Sequence, residues 1–388
     1  MDTTAPPAPE RRRAHDDEED NNNNSDSTKT MTHQPPPLLS RITHLSKIYT
    51  AKSLSLPSVW LREWKEYFYP PPAQPDIVKT YECRPDLPVR IFFPSSYDLT
   101  SPHTLPTLFT IHGSLAPAPF VLGTPREDDE WNRSFADGQH TLIIALNYSK
   151  APAAVFPAPL HDVEALLLAA LADESLPVDR SWKNGKGRVG VLGFGGAGGN
   201  LAVGVVQLEG VVRKGGCKPG VVGSWGGWLD LAGDGGEGEE KEAWRWGYVP
   251  YGQDLRDGLV SPFYWAAGGE GLPEFKVFVA GEGDKLAGEN RALATRLAGR
   301  GEENRGDVGG RGEGGKKKGL EKEDERFWFE EGGVKWVLVP GVGAGFEHRE
   351  VREEMGWGEE LVKDAEEKTE LVMEELGAWL RRVWELDG

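Results

Sequence analysis

The chain has 388 residues and a formal net charge of −18, from 62 acidic and 44 basic residues. This acidity argues against nucleic acid and anionic membrane as its main partners, because both are negatively charged themselves. No run of about 18 apolar residues predicts a transmembrane segment. The two cysteines, Cys83 and Cys217, are too few for a disulfide framework, so we expect a reducing, cytoplasmic location.

The first part of the chain predicts a tail followed by helices. Residues 1–36 are dominated by charge runs, asparagines and prolines, which predicts a disordered N-terminal tail. In residues 37–76, apolar and aromatic side chains recur at helical spacing until a run of three prolines from Pro70. We therefore expect one or two N-terminal cap helices there.

The remainder, residues 77–388, alternates strand and helix patterns, which predicts an α/β fold with a mostly parallel sheet. The predicted strands are 77–83, 89–93, 105–111, 141–146, 189–192, 221–224, 275–280 and 334–339. The helical patterns of this part are 160–171, the segment after residue 200, and 362–383. Residues 231–268 are interpreted as a cap insertion, and 299–319 as a low-complexity loop of Gly, Lys and Glu.

The stretch 188–200 predicts a buried strand, a tight glycine turn and the start of a helix. Gly193, Gly195 and Gly198 match the G-x-G-x-x-G fingerprint of dinucleotide-binding turns. The other interpretation is a nucleophile elbow, G-x-S-x-G, from which the serine is missing. Because the chain contains 50 glycines, a chance match to either pattern is easy. The motifs on either side of the turn therefore have to distinguish the two interpretations.

Several motifs occur together in a fixed order around this turn. They are residues 105–113, 120–126, 147–152, 156–157, 160–165, 261–262 and 284–289. In this order they resemble the hormone-sensitive-lipase-like branch of the α/β hydrolases, in particular its fungal members. The resemblance covers residues 77–385 and favours the nucleophile elbow, since several strands precede the glycine turn. It implies an α/β-hydrolase fold with a helical cap, and ester hydrolysis by serine, histidine and carboxylate.

The resemblance also shows where this chain departs from the family. Aligned on residues 197–200, the nucleophile position is Gly196, which has no side-chain oxygen to form an acyl-enzyme. The carboxylate position is retained as Asp284. The family's G-H-G-F turn is Gly-Ala-Gly-Phe at 343–346, which puts Ala344 in the histidine position.

The oxyanion hole departs from the family as well. The resemblance assigns it to His112, Gly113 and Ser114, together with the residue after the nucleophile, Ala197. The loop 114–119 contains two prolines, which have no N–H to donate. Three of the four catalytic parts therefore differ from the family pattern, and the carboxylate alone is retained.

The expected function is that of a carboxylic-ester hydrolase (esterase or lipase) that is catalytically impaired or inactive. The alternative is a non-catalytic, small-molecule-binding or regulatory pseudoenzyme; a third interpretation is a sequence error near the elbow. A small acyl ester or an apolar ligand is the expected partner, with no cofactor and no metal. Ser224 and Ser114 are conceivable substitute nucleophiles and His348 a substitute base. The simpler interpretations are a turn residue, a loop hydroxyl and a surface histidine.

Overall fold

The structure is a computed structural model. It describes residues 30–69, 71–114, 118–179, 188–214, 218–233, 238–265, 271–301, 319–354 and 356–385. The compact unit begins at Met31. Residues 31–33 of the predicted tail run beside residues 252–255, with an isolated bridge between Thr32 and Asp254. These three residues of the predicted tail are thus held in place by backbone hydrogen bonds to a distant loop.

Nine strands of the described chain form one sheet. They are β1 Ile77–Tyr81, β2 Arg84–Phe92, β3 Thr107–Ile111, β4 Leu142–Leu146, β5 Val189–Phe194, β6 Val221–Trp225, β7 Phe275–Gly281, β8 Trp328–Glu331 and β9 Val334–Val339. Their order across the sheet is β1-β2-β4-β3-β5-β6-β7-β9-β8. The six strands from β4 to β9 in that order are parallel, whereas β1, β2 and β8 pair antiparallel at the edges. The prediction of a mostly parallel sheet is confirmed.

Helices cover both faces of this sheet. They are α1 Leu38–Phe68, α2 Asp129–Gln139, α3 Ala158–Ala172, α4 Gly195–Val205, α5 Gly238–Tyr248, α6 Ala287–Leu297, α7 Arg349–Glu354 and α8 Glu359–Val383. Helices α3, α4 and α6 bury their apolar side chains in one core, and α2 and α8 bury theirs in the other. In β4, Ile144 faces the first core and Ile143 the second, as the two-residue period of a strand requires.

The central strands are apolar throughout because both of their faces are covered. All residues of β3, β4 and β5 are buried. Because continuous apolar runs mark them, the central strands could be predicted from the sequence. Helices α2 and α6 and strand β8 were not predicted. Among the described residues, no helix is sufficiently long and apolar to traverse a membrane. Most of the predicted low-complexity loop, residues 302–318, lies outside the described residues.

Candidate active site

The glycine turn joins β5 to α4 in a very tight bend. A Cβ at Gly193 would lie 1.9 Å from the carbonyl oxygen of Gly198, and a Cβ at Gly198 would lie 2.3 Å from that of Ile111. Only glycine fits such close backbone approaches. The turn lies at the carboxyl edge of the parallel strands, where α/β proteins place their ligands.

The left-handed residue of this turn is Gly195, with φ +57°. A Cβ there would lie 3.4 Å from Gly113 Cα and 3.7 Å from Ser114 N, which is ordinary contact with the oxyanion loop. A nucleophile elbow holds its serine on strained backbone of this kind. Gly195 therefore has the left-handed backbone that a nucleophile position requires, one residue before the Gly196 that the alignment gave. The signal in the sequence is the one extra glycine between residues 193 and 200.

Gly196 has different surroundings. A Cβ there would lie 3.1 Å from Pro119 Cβ and 3.5 Å from Trp228 Cβ. The carbonyl oxygen of Gly196 accepts a hydrogen bond from the amide of Trp228 at 2.9 Å. Ala197 follows in the first turn of α4 and is fully buried. Neither Gly195 nor Gly196 carries a side-chain atom that could attack an ester.

His112 and Gly113 lie directly on the elbow. A Cβ at Gly113 would be 2.6 Å from the carbonyl oxygen of Phe194. The buried His112 ring stacks on Tyr148 with centroids 4.5 Å apart, and Lys150 Nζ donates to His112 Nε2 at 3.1 Å. Burial, reinforced by the positive charge of Lys150, puts the pKa of His112 well below its usual value. A neutral His112 held this way shapes the loop.

The segment that follows the oxyanion loop packs against α5. Residues 115–117 of the loop that the sequence analysis singled out lie outside the described residues. Phe120 is fully buried at φ +65°, a backbone region that side-chain-bearing residues rarely adopt. Its ring stacks on Tyr248, the last residue of α5, with centroids 3.7 Å apart. The loop is therefore packed against the helix of the predicted cap insertion.

Asp284 lies at the same edge, in the turn after β7. Its Oδ1 accepts a hydrogen bond from the amide of Leu286 at 2.9 Å. Its Oδ2 lies 2.9 Å from the point that a Cβ of Gly226 would occupy, just after β6. The carboxylate is buried and placed between two strand ends.

Ala344 lies in the turn after β9 and is exposed. This turn meets the loop after β7, since a Cβ at Gly281 would lie 2.6 Å from the carbonyl oxygen of Gly343. The structure thus brings together the loops that carry the carboxylate and histidine positions. Ala344 offers no group that could take a proton.

His348 is buried, so its interpretation as a surface histidine is wrong. Its Nδ1 lies 3.5 Å from Asp128 Oδ1 and its Nε2 lies 3.3 Å from Glu347 Oε1. Burial lowers the pKa of His348, but the carboxylates of Glu347 and Asp128 outweigh that effect and raise it to about 9. An imidazole protonated at neutral pH cannot act as a general base. The His348 ring also packs against the Phe194 ring, with the two centroids 5.8 Å apart.

Ser224 is fully buried and donates a hydrogen bond to Asn290 Oδ1 at 3.1 Å. The amide of Asn290 donates in turn to the carbonyl oxygen of Gly227 at 2.7 Å. Both side chains are engaged in holding the loop after β6. Ser224 is therefore a structural residue.

Asn200 performs a similar supporting role from α4. Its buried Nδ2 donates to the carbonyl oxygens of Trp228 and Val260, each at 2.9 Å. These two carbonyls belong to segments 32 residues apart in the sequence, and Trp228 is the residue that bonds to Gly196. Asn200 thereby ties the loop beside the elbow to the segment before Ser261.

Two further motif residues hold the same loop. Ser261 Oγ accepts a hydrogen bond from the amide of Leu231 at 2.8 Å. Glu289 Oε1 accepts the amides of Leu229 at 2.5 Å and Asp230 at 3.3 Å. Backbone groups that no strand or helix pairs are satisfied by these side chains. The motifs that carried the family resemblance are here largely supports of the loops around the elbow.

Sites for other ligands were considered across the described part of the chain. It contains no group of three or more His, Cys, Asp or Glu side chains that could hold a metal ion. A surface groove of about 690 Å³ lies between the carboxyl end of α2 and α8, lined by Gln139, Glu375 and Arg381. Because α2 leads into β4, this groove lies at the amino edge of the sheet, opposite the elbow.

Solved structures of several esterases share this architecture. The solved structure of a Pyrobaculum calidifontis esterase shares 18% identity and a TM-score of 0.57, covering 90% of this chain and 99% of that one. Carboxyl esterase 2 from the mycorrhizal fungus Tuber melanosporum shares 15% identity and a TM-score of 0.54, covering 79% and 86%. One of two fungal esterases from Rhizomucor miehei shares 18% identity and a TM-score of 0.55, covering 80% and 82%.

At these identities the likeness to solved structures shows the fold alone. A search of the curated proteins finds no significant match. The model of an α/β-hydrolase-fold family matches residues 108–308, which include β3 to β7, the glycine turn and Asp284. Since this match spans more than half of the chain and the sheet order agrees with it, the chain belongs to the α/β-hydrolase fold family.

Proposed function

We propose that this protein is an α/β hydrolase resembling carboxylic-ester hydrolases that has lost the chemistry of its elbow. The observation that carries the proposal is the pair of glycines at the turn, Gly195 and Gly196. Whichever of them occupies the nucleophile position, no oxygen is present to attack an ester carbonyl. A catalytically impaired or inactive protein follows.

The base position supports the same proposal. Ala344 stands where the resemblance expects histidine, and the His348 imidazole, with a pKa of about 9, is already protonated at neutral pH. Asp284 remains, but a carboxylate in a triad acts by orienting a histidine and has none here to orient. The proposal therefore assigns Asp284 to the carboxylate position without a catalytic role.

A small acyl ester or an apolar ligand is the partner class that the surroundings of the elbow favour. Trp228 and Pro119 border Gly196, and Phe120, next to Pro119 in the chain, stacks its ring on Tyr248 of α5. This apolar lining also supports the alternative, a non-catalytic binding or regulatory protein. We further propose that α1 and residues 231–268 form the cap, since the His44 and Trp246 rings lie 5.7 Å apart. Because the chain has only two cysteines, we also propose a cytoplasmic location.

Labelling with a fluorophosphonate probe, together with hydrolysis of short-chain aryl esters, tests the proposal. The unaltered protein is expected to show neither, because loss of nucleophile or base alone costs about 10⁶ in kcat. Gly195→Ser with Ala344→His should recover partial activity, more than Gly196→Ser with Ala344→His. Each serine variant with Ala344 unchanged is the matched control and should stay inactive. Labelling of the unaltered protein that Ser114→Ala abolishes would overturn the proposal and identify a substitute nucleophile.

The binding alternative has its own measurement. Ethyl hexanoate should raise the Tm of the unaltered protein if the elbow region binds acyl esters, since a ligand of the folded state stabilises it. Gly196→Leu would place a side chain against Pro119 and Trp228 and should remove that increase. No increase in either protein would argue against an acyl-ester ligand and leave the impaired hydrolase.

A further inference from the structure

Helix α1 has one face that is packed and one that is not. Among its described side chains only His44 and Ile48 are buried. They meet α5, where a Cβ at Gly247 would lie 2.7 Å from Ile48 Cδ1. This face accounts for how the helix is attached to the rest of the molecule.

The opposite side of α1 carries a second apolar face, which we call the exposed stripe. It consists of Leu39, Ile42, Tyr49, Leu56, Trp60 and Trp64, each more than half exposed. At about 100° per residue, these six positions fall within about a third of the helix circumference. Such a contiguous apolar surface on a protein marks an interaction site.

Basic side chains border this stripe on both sides. Counted the same way around the helix, Lys47 and Lys65 lie about 80° beyond one edge of the stripe, and Arg41 and Lys52 about 40–60° beyond the other, with the position of Glu63 between Lys52 and the stripe. The helix has five basic and two acidic residues, a net charge of +3, whereas the whole chain has −18. Tryptophan and leucine on one face with lysine and arginine beside them are typical of helices that lie in a membrane interface.

Residues 1–29 are polar, so this segment supplies no large aliphatic or aromatic side chains to cover the stripe. Residues 1–29 contain no Leu, Ile, Val, Phe, Tyr or Trp. An anionic lipid surface matches both properties of α1, since it accepts apolar side chains and attracts the flanking cations. The net charge of the chain gave the opposite expectation, but screening limits electrostatic attraction to about 8–10 Å, so the charge of the helix counts most.

We propose that α1 docks the protein onto a phospholipid bilayer containing anionic lipid, with the exposed stripe in the interfacial layer. The docking is independent of whether the elbow hydrolyses anything. It would hold α5 near the lipid, and Tyr248 of α5 stacks on Phe120 beside the elbow. The bilayer would thus lie close to the region where an apolar ligand is expected.

Flotation of the full chain with large unilamellar vesicles tests this. Binding is expected to vesicles of phosphatidylcholine with a minority of phosphatidylserine, and much weaker binding to phosphatidylcholine alone. Lys65→Gln should lower the partition coefficient about fivefold, the effect of one basic residue near an anionic surface. Lys363→Gln, at an exposed lysine of α8, is the matched control and should bind unchanged.

The apolar part is tested by Trp60→Ser combined with Trp64→Ser, which should weaken binding at least about tenfold while Tm stays unchanged. Leu99→Ser removes an equally exposed apolar side chain outside α1 and should bind as the unaltered protein does. Failure of the full chain to float with either vesicle, or equal binding by the double variant, would overturn the proposal. So would a dimer in analytical ultracentrifugation that the double variant dissociates and that does not bind vesicles, since a second copy would then cover the stripe.

Discussion

Two sets of residues meet at the carboxyl edge of this sheet, and they differ in what they contribute. Asn200, Ser261 and Glu289 hold the loops around the elbow through buried hydrogen bonds. The positions that would react with a substrate, at the glycine turn and at Ala344, carry no reactive group. Buried backbone groups need partners whatever the protein does, whereas a nucleophile does not stabilise the fold. The loops around the elbow are therefore held in place whether or not a reactive group is present.

The comparison extends to backbone strain. A serine at the left-handed elbow position would store strain that the surrounding structure must offset. Gly195 adopts φ +57° without that cost. Losing the nucleophile is thus neutral or favourable for stability, whereas losing a supporting side chain is not.

The supporting set can be tested most strongly at Asn200. Asn200→Leu keeps the branched shape of the side chain but removes the amide that donates to the carbonyl oxygens of Trp228 and Val260. We expect a loss of about 2–4 kcal/mol in the free energy of unfolding, measured by urea denaturation. Gln207→Ala, which removes only a bond to Val203 within the same helical segment, should cost less than about 1 kcal/mol. Equal losses would remove the distinction between supporting and local hydrogen bonds.

A smaller effect is expected from His348, which is neither a supporting nor a reacting residue. Its pKa in the folded state, about 9, exceeds the unfolded value of 6.5. The folded state therefore binds the proton more tightly, so the stabilisation is complete below pH 6.5 and is lost as pH rises to 9. Relative to His348→Gln, the unaltered protein should lose on the order of 2 kcal/mol between pH 6 and pH 10.

The quantity to measure is the difference in unfolding free energy between the unaltered protein and His348→Gln at each pH, because other groups also titrate in this range. Burial lowers the pKa of Lys150 to about 7, which makes stability rise with pH. Parallel pH profiles for the unaltered protein and His348→Gln would contradict the assignment of a charged His348.

The smallest expected effect separates the two elbow glycines. Gly195→Ala places a side chain at a positive φ and should cost about 1 kcal/mol more than Gly196→Ala, in thermal or urea unfolding. Gly196→Ala serves as the control, with Pro119 as its closest side-chain neighbour. The reverse order of stability would return the nucleophile position to Gly196.

The central sheet could be predicted from the sequence because its strands are buried on both faces. Leu108, Ile143 and Val191 lie in neighbouring strands, as expected. The glycine turn was located from the sequence, but the choice between Gly195 and Gly196 stays a prediction, since a run of glycines has no side chain to mark the nucleophile position. The burial of His348 was not predictable, because one of its partners, Asp128, is distant in the sequence.

The sequence also gave α1 as helical without showing which side it buries. Its more apolar face is the exposed one, and only the position of α5 shows which side is buried. Helices α2 and α6 were missed for a related reason. Their apolar residues are few, and the contacts that fix them come from elements far away in the chain.

The attachment of α1 has a consequence for how the molecule opens. A 31-residue helix with only two buried side chains among those described shares little of the cooperative core that holds the sheet together. Segments with so few buried contacts open in sub-global fluctuations at a fraction of the global unfolding free energy. The helix would therefore behave as a separate foldon. It would detach and rejoin many times before any backbone amide of β5 or of its neighbouring strands exchanges its hydrogen with solvent.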